Sequence, residues 1–144
     1  MSDPFFPPVE QSAPLGAFAL RVGLGIMLVA HGLLKVFVFT IPGTIGFFES
    51  VGFSGWLAYP TILAEVGGGL LLIVGFQTRL ISLASLPLLI GALSVHTGNG
   101  WVFSNQGGGW EYPLFLVLAA AVQVLIGPGR YALDNLAVKP AIRI

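Results

Sequence analysis

The sequence predicts an all-α integral membrane protein, a four-helix bundle with both termini in the cytoplasm. Three observations predict it. Of 144 residues, 56% are hydrophobic and only 8% are charged, with a mean hydropathy of +0.92. A soluble domain carries roughly a quarter charged residues, because its surface must face water. The apolar residues run in long blocks instead of alternating with polar ones, so they suit membrane helices and not barrel strands. The basic residues, finally, gather at one set of helix ends.

Residues 1–14 are proline-rich, with Pro4, Pro7, Pro8 and Pro14, and no basic residue precedes Arg21. This stretch lacks the basic start of a secretory signal and reads as a disordered, partly polyproline-like tail. The bundle domain follows at residues 15–136, and 137–144 form a short cytoplasmic tail. Its helices are expected at about 15–39, 56–76, 80–96 and 112–128, with Ser12 and Pro14 as start residues for the first. Each is long enough to cross a hydrocarbon core of about 30 Å. Only Gln77, Thr78 and Arg79 join the second and third, which therefore form an antiparallel hairpin.

Four crossings place the N-terminus, this turn and the C-terminal tail on one side, together with Arg79, Arg130, Lys139 and Arg143. The loops at residues 40–55 and 97–111 contain no Lys or Arg. The positive-inside rule then makes the basic side cytoplasmic. Residues 43–53 suit a short interfacial helix. Trp56, Tyr59, Trp101, Trp110 and Tyr112 suit an aromatic belt. Gly16, Gly23, Gly25, Gly32, Gly67, Gly68, Gly69 and Gly75 are candidates for close helix packing.

Ionisable side chains within lipid are expensive, so each needs a partner or a purpose. The first helix carries Arg21, His31 and Lys35, and Glu65 lies near the middle of the second. At about 1.5 Å of rise per residue, Glu65 falls within a few Å of the midplane, His31 about 6 Å, His96 about 11 Å and Lys35 about 12 Å to its outer side. These four, capped by Asn99 and Glu111, are expected to line an outward-facing polar pocket. Arg21 lies in the inner half, where it either snorkels or reaches Glu65. The plainer alternative is that Lys35 snorkels, His96 is a surface residue and Glu65 belongs to a structural ion pair. The charge partner of Glu65 is then Lys35 or Arg21.

Several chemistries are disfavoured. With no cysteine there are no disulfides, thiol exchange or thiolate ligands. Two histidines at different depths make a poor haem site, and zinc would need ligands from separate elements, so no metal site is assigned. No phosphate loop, nucleophile elbow or dinucleotide fingerprint is present. Zero net charge points away from nucleic acid.

Leu20-Arg21-Val22, His31-Gly32, Lys35, Ala64-Glu65-Val66-Gly67-Gly68-Gly69-Leu70 and Gly75-Phe76-Gln77-Thr78-Arg79 follow one another in an order that resembles the DoxX family of small bacterial membrane proteins. The resemblance continues through Gly108-Gly109-Trp110-Glu111-Tyr112-Pro113-Leu114 and Gly127-Pro128-Gly129-Arg130-Tyr131-Ala132-Leu133-Asp134. It implies a four-helix inner-membrane protein. The family includes the small subunit of a thiosulfate:quinone oxidoreductase, members held to assemble redox enzymes at the membrane, and many of no assigned activity. The first expectation is therefore a membrane subunit of an oxidoreductase system, interacting with quinone or a similar small molecule. Glu65 and His31 would handle protons, Lys35 would stabilise a developing anion, and Trp110 or Tyr112 would stack on a ring. Arg21, His96 and Glu111 would complete the ligand site. Without a redox centre of its own, the chain would need a bound cofactor or a partner. The alternative is a non-catalytic anchor for a soluble or membrane redox enzyme, presented by Arg79, Arg130 and Asp134. Transport is a weaker reading, since paired broken helices are lacking; a homo-oligomer is left open.

Overall fold

A computed structural model describes residues 5–136. The first four residues, and the tail at 137–144 with Lys139 and Arg143, lie outside the described residues. Every regular element among the described residues is helical: α1 (Val9–Phe37), α2 (Ile41–Ser50), α3 (Ala58–Val74), α4 (Thr78–His96) and α5 (Glu111–Ile126). Short 3₁₀ turns fall at Gly55–Leu57, Thr97–Asn99 and Leu133–Leu136.

Helix α1 starts at Val9, so residues 9–14 are helical where a disordered tail was expected. Pro14 lies inside the helix. It is the sixth helical residue, past the first turn, so its missing N–H leaves the exposed Glu10 carbonyl without its usual helical partner. Glu10 in the first turn adds a favourable charge at the positive end of the helix dipole. At Thr40 the chain turns through a positive φ of 65°, and the threonine side chain accepts a bond from the Gly43 N–H to start α2. The short helix expected at residues 43–53 thus exists, shifted slightly toward the N-terminus.

The α3–α4 turn is fixed at both ends. Gly75 is left-handed, and the bonds Phe76 N–H to Leu71 O (2.9 Å) and Gly75 N–H to Leu72 O (3.1 Å) form a Schellman closure. The start of α4 takes its cap from far along the chain. Both oxygens of Asp134 accept backbone bonds, from Gln77 (2.7 Å) and Thr78 (2.8 Å).

The bundle packs α1 on α3 and α4 on α5 around Leu24, Leu28, Leu72, Leu89 and Ala120. Gly25 and Gly69 bring α1 and α3 together: a methyl added to either would lie 2.7 Å from the other's carbonyl oxygen. Gly16, Gly23 and Gly67, expected to share this role, have nothing within 4 Å. Large apolar side chains point outward along the helices, including Ile26, Leu63, Leu70, Leu83, Ile90 and Leu118. Among the described residues three helical segments are long and apolar enough to cross a membrane: Val9–Phe37, Gly55–Val74 and Thr78–Asn99. The α5 helix is equally apolar but has 16 residues. Helices of this character, apolar on their outer faces, belong in a bilayer.

Candidate functional site

At the end of the bundle away from the Gln77 turn, the helices enclose a chamber of about 350 Å³. That volume is in the range of small-molecule sites. One wall is ionic. Lys35, in the last turn of α1, donates to both carboxylate oxygens of Glu65 at 2.8 Å each. Glu65 is 6% exposed and Lys35 18%, so the pair is shielded from bulk solvent while its lysine end still meets the chamber. Because α1 and α3 run antiparallel and nearly touch at Gly25 and Gly69, a long lysine side chain can span the gap to a mid-helix glutamate.

His31 lies one turn before Lys35 on the same wall. Its Nδ1 is 2.8 Å from the Met27 carbonyl, which can only accept, so Nδ1 carries the proton. In the neutral ring Nε2 is then the acceptor. The imidazole stacks on Tyr112 of α5, with centroids 5.9 Å apart and planes at 23°. The Tyr112 hydroxyl is buried with no partner among the described residues. His96, at the end of α4, also lines the chamber and sets its Nδ1 3.0 Å from the carbonyls of Gly107 and Gly108.

The remaining walls are apolar. Phe47, Phe48 and Phe53 cover the chamber from α2 and the turn behind it, while Leu28, Leu89 and Leu116 are bundle side chains. An ion pair with two imidazoles in such an enclosure can exchange a proton or bind a polar ring at low dielectric cost. The sequence reading missed the α2 aromatics as site residues. Their spacing, on a helix introduced by Thr40 and Pro42, carried the signal of a covering element.

The DoxX family model matches residues 16–98 of this sequence. The chain belongs to the DoxX family. Over 126 residues it is 32% identical to the Bacillus subtilis protein named "Putative oxidoreductase CatD", covering 88% of this chain and 90% of that one. Over 131 residues it is 30% identical to the Escherichia coli protein named "Inner membrane protein YqjF", covering 85% and 92%. No solved structure matches it. Family and helices together make it a bacterial membrane protein with transmembrane helices. Within the matched stretch lie Lys35, Glu65, His31 and His96, the chamber's ionisable set apart from Tyr112.

Arg21 of this DoxX chain is not part of the chamber. It neither snorkels nor reaches Glu65, because other acceptors lie closer. The guanidinium is fully buried. It donates to the carbonyls of Leu72 and Ile73 at the end of α3, and to those of Pro128, Arg130 and Tyr131 in the segment after α5. The Phe18 ring lies 5.4 Å away. Two of these carbonyls lie in the last turn of α3, where the helix dipole favours a cation, and that of Leu72 also accepts the Gly75 N–H.

The expected cap of Asn99 and Glu111 does not form over the chamber. Asn99 bonds the Gly107 and Gly108 carbonyls at 3.0 Å, and Glu111 accepts from the Phe103 N–H at 2.9 Å. Trp110 packs edge-on against Trp101, 4.5 Å between centroids, and lies outside the chamber lining, whereas Tyr112 is within it. The 97–110 loop is thus fastened to itself. At the opposite end, Arg79 and Arg130 are exposed, but Asp134 is committed to capping α4. Burial would raise its carboxyl, but the bonds from Thr78 and Gln77 and the nearby Arg21 charge outweigh this and hold it below the usual range. Among the described residues no three His, Asp or Glu side chains converge as a metal site.

Proposed function

We propose that this DoxX protein is the membrane subunit of an oxidoreductase system, and that its chamber binds a quinone or a similar small ring. The observation that carries the reading is the Lys35–Glu65 pair facing an apolar chamber beside His31 and Tyr112. A purely structural pair gains nothing from a neighbouring cavity, because space next to a buried charge removes packing and admits competing solvent. Such a site holds a ring between aromatic and aliphatic walls. It offers a carboxylate and an imidazole for proton transfer, and an ammonium to balance negative charge on an oxygen. The name of the Bacillus subtilis relative supports the redox setting. Electrons would come from a partner protein or a bound cofactor.

In this reading α5 is the fourth crossing, and the Gln77 turn and both termini face the cytoplasm. Arg79 and Arg130 at that end, against loops without Lys or Arg at the other, support the orientation. A reporter active only in the cytoplasm should work when fused at the Gln77–Arg79 turn and stay silent near Gly52 or Asn105. Activity at Gly52 would reverse the orientation.

The anchoring alternative draws on the exposure of Arg79 and Arg130, two cations free to meet a soluble enzyme. Protein purified in mild detergent separates the readings, with mass spectrometry of what it retains. The chamber reading requires a ring compound present above its level in the surrounding lipid. Loss of a partner enzyme on replacing Arg79 and Arg130, with no retained ring compound, would favour the anchor.

A further inference from the structure

We propose that the chamber is loaded sideways from the bilayer, through a cleft between α3 and α4, by an amphiphile with a polar ring and a long apolar tail. The inference rests on the ligand-binding reading above and specifies the class of ligand.

Helices α3 and α4 are consecutive and antiparallel, joined by a tight turn. Near that turn they touch: a methyl on Gly68 would lie 3.5 Å from the Ile81 side chain. Farther along they flank the chamber together, Thr61 and Glu65 on α3 and Gly91, Ala92 and Val95 on α4. The change occurs around Pro87, which lies inside α4 and also borders the chamber. Proline has no N–H to give the Leu83 carbonyl, so α4 is weakest against bending where it begins to border the chamber.

The opening faces lipid. Pro87 and Ala92 border the chamber and are both exposed, so no neighbouring helix covers them. A methyl on Gly91 would meet nothing within 4 Å. Pro87 is the midpoint of Thr78–His96, and Ala92 is five residues on, about 7.5 Å along the axis. Both positions fall within the roughly 15 Å that separates the midplane of a bilayer from the edge of its hydrocarbon core. The end of the chamber, by contrast, is covered by Phe47, Phe48 and Phe53. A ligand crossing the cleft comes from hydrocarbon and meets the Lys35–Glu65 pair only once inside. Its tail then occupies the apolar gap that the head has passed, so the head needs polar groups and the tail needs none.

Two probes in nanodiscs test this: a quinone with a long isoprenoid tail and its counterpart with a single isoprene unit, short enough to enter from water. Binding is read by quenching of tryptophan fluorescence. Gly91→Phe fills the cleft where the structure leaves room, and its melting temperature checks the fold. The expected result is that long-tail affinity falls about tenfold or more relative to short-tail affinity, as overfilling a fitted gap does. Ala92→Phe repeats the test one residue on, should Gly91→Phe not accumulate. Unchanged binding of the long-tail probe would overturn the cleft, and so would equal loss of both probes, which would place Gly91 at the head site. Wild-type protein that binds neither probe would remove the ligand reading itself, and the cleft with it.

Discussion

The two ends of this bundle bury cations in opposite ways. At the turn end, Arg21 is wrapped by five backbone carbonyls and lies outside the chamber lining. At the chamber end, Lys35 meets a single carboxylate and faces open space. Arg21 has a donor fork whose valences are all used on the chain itself, and its charge fastens α1, the end of α3 and the segment after α5 together. Lys35 and Glu65 satisfy each other while leaving lone pairs and a proton to offer. Depth and charge in a membrane therefore mark importance, and the space beside the charge separates a fastener from a site.

Breaking the fastener should produce the largest effect. Arg21→Met keeps an unbranched apolar stem but removes the Arg21 donors from the Ile73 carbonyl and the 128–131 backbone, and leaves the Leu72 carbonyl only its bond from Gly75. Losing buried charge-assisted bonds of this kind costs about 3–5 kcal/mol. The variant should melt far below wild type or fail to accumulate. Arg21→Lys should recover only part of the loss, since one ammonium cannot reach carbonyls in two segments. Wild-type melting of Arg21→Met would dissolve the contrast.

A smaller effect is expected at the α4 cap. Asp134 has a depressed carboxyl pKa in the folded protein, so its contribution is complete above the pKa of an unfolded aspartate. It is lost as pH falls through the folded value. Thermal melting from pH 7 down to about pH 3, which spans the ordinary aspartate range, should show a decline that Asp134→Asn flattens. At neutral pH, Asp134→Asn should cost about 1 kcal/mol, the usual scale for a helix cap. An acid profile identical in the variant would assign the decline to other carboxylates.

The smallest change is expected at Tyr112. Its hydroxyl has no partner among the described residues, so Tyr112→Phe deletes an unsatisfied polar atom and keeps the ring stacked on His31. Stability should stay within about 1 kcal/mol of wild type, on either side. A large loss would reveal a bond between this hydroxyl and the chamber that sharpens its role.

Much of this contrast was legible in the sequence. Long apolar blocks fix the helices because a bilayer allows the backbone few other solutions, and the short link around Gln77 fixes a hairpin, although it spans residues 75–77 and Thr78 and Arg79 already belong to α4. Depth alone placed His31, Lys35, Glu65 and His96 between the midplane and the outer interface. Rotation about each helix axis was less accessible. Arg21 and Lys35 are two heptads' seam neighbours on α1, yet which of them meets Glu65 depends on the direction of α3 and on competing carbonyls contributed by residues 128–131. Those carbonyls belong to a loop whose path no periodicity predicts. The self-fastened 97–110 loop, which takes Glu111, Asn99 and Trp110 away from the chamber, was hidden for the same reason. Pro14 misled because proline favours the first helical turn in general, while here the helix had already begun.

The central claim is that the Lys35–Glu65 pair serves a ligand as well as the fold, and Glu65→Gln tests it most directly. The amide keeps the size of the side chain and one acceptor for Lys35, and removes the charge together with the second acceptor. Wild type and variant would be purified side by side in mild detergent, melted, and extracted for bound ring compounds by mass spectrometry. The account predicts a folded variant, with a melting temperature lowered far less than in Arg21→Met, that has lost its retained ligand. A variant that melts like wild type and retains the same ligand in the same amount would contradict it.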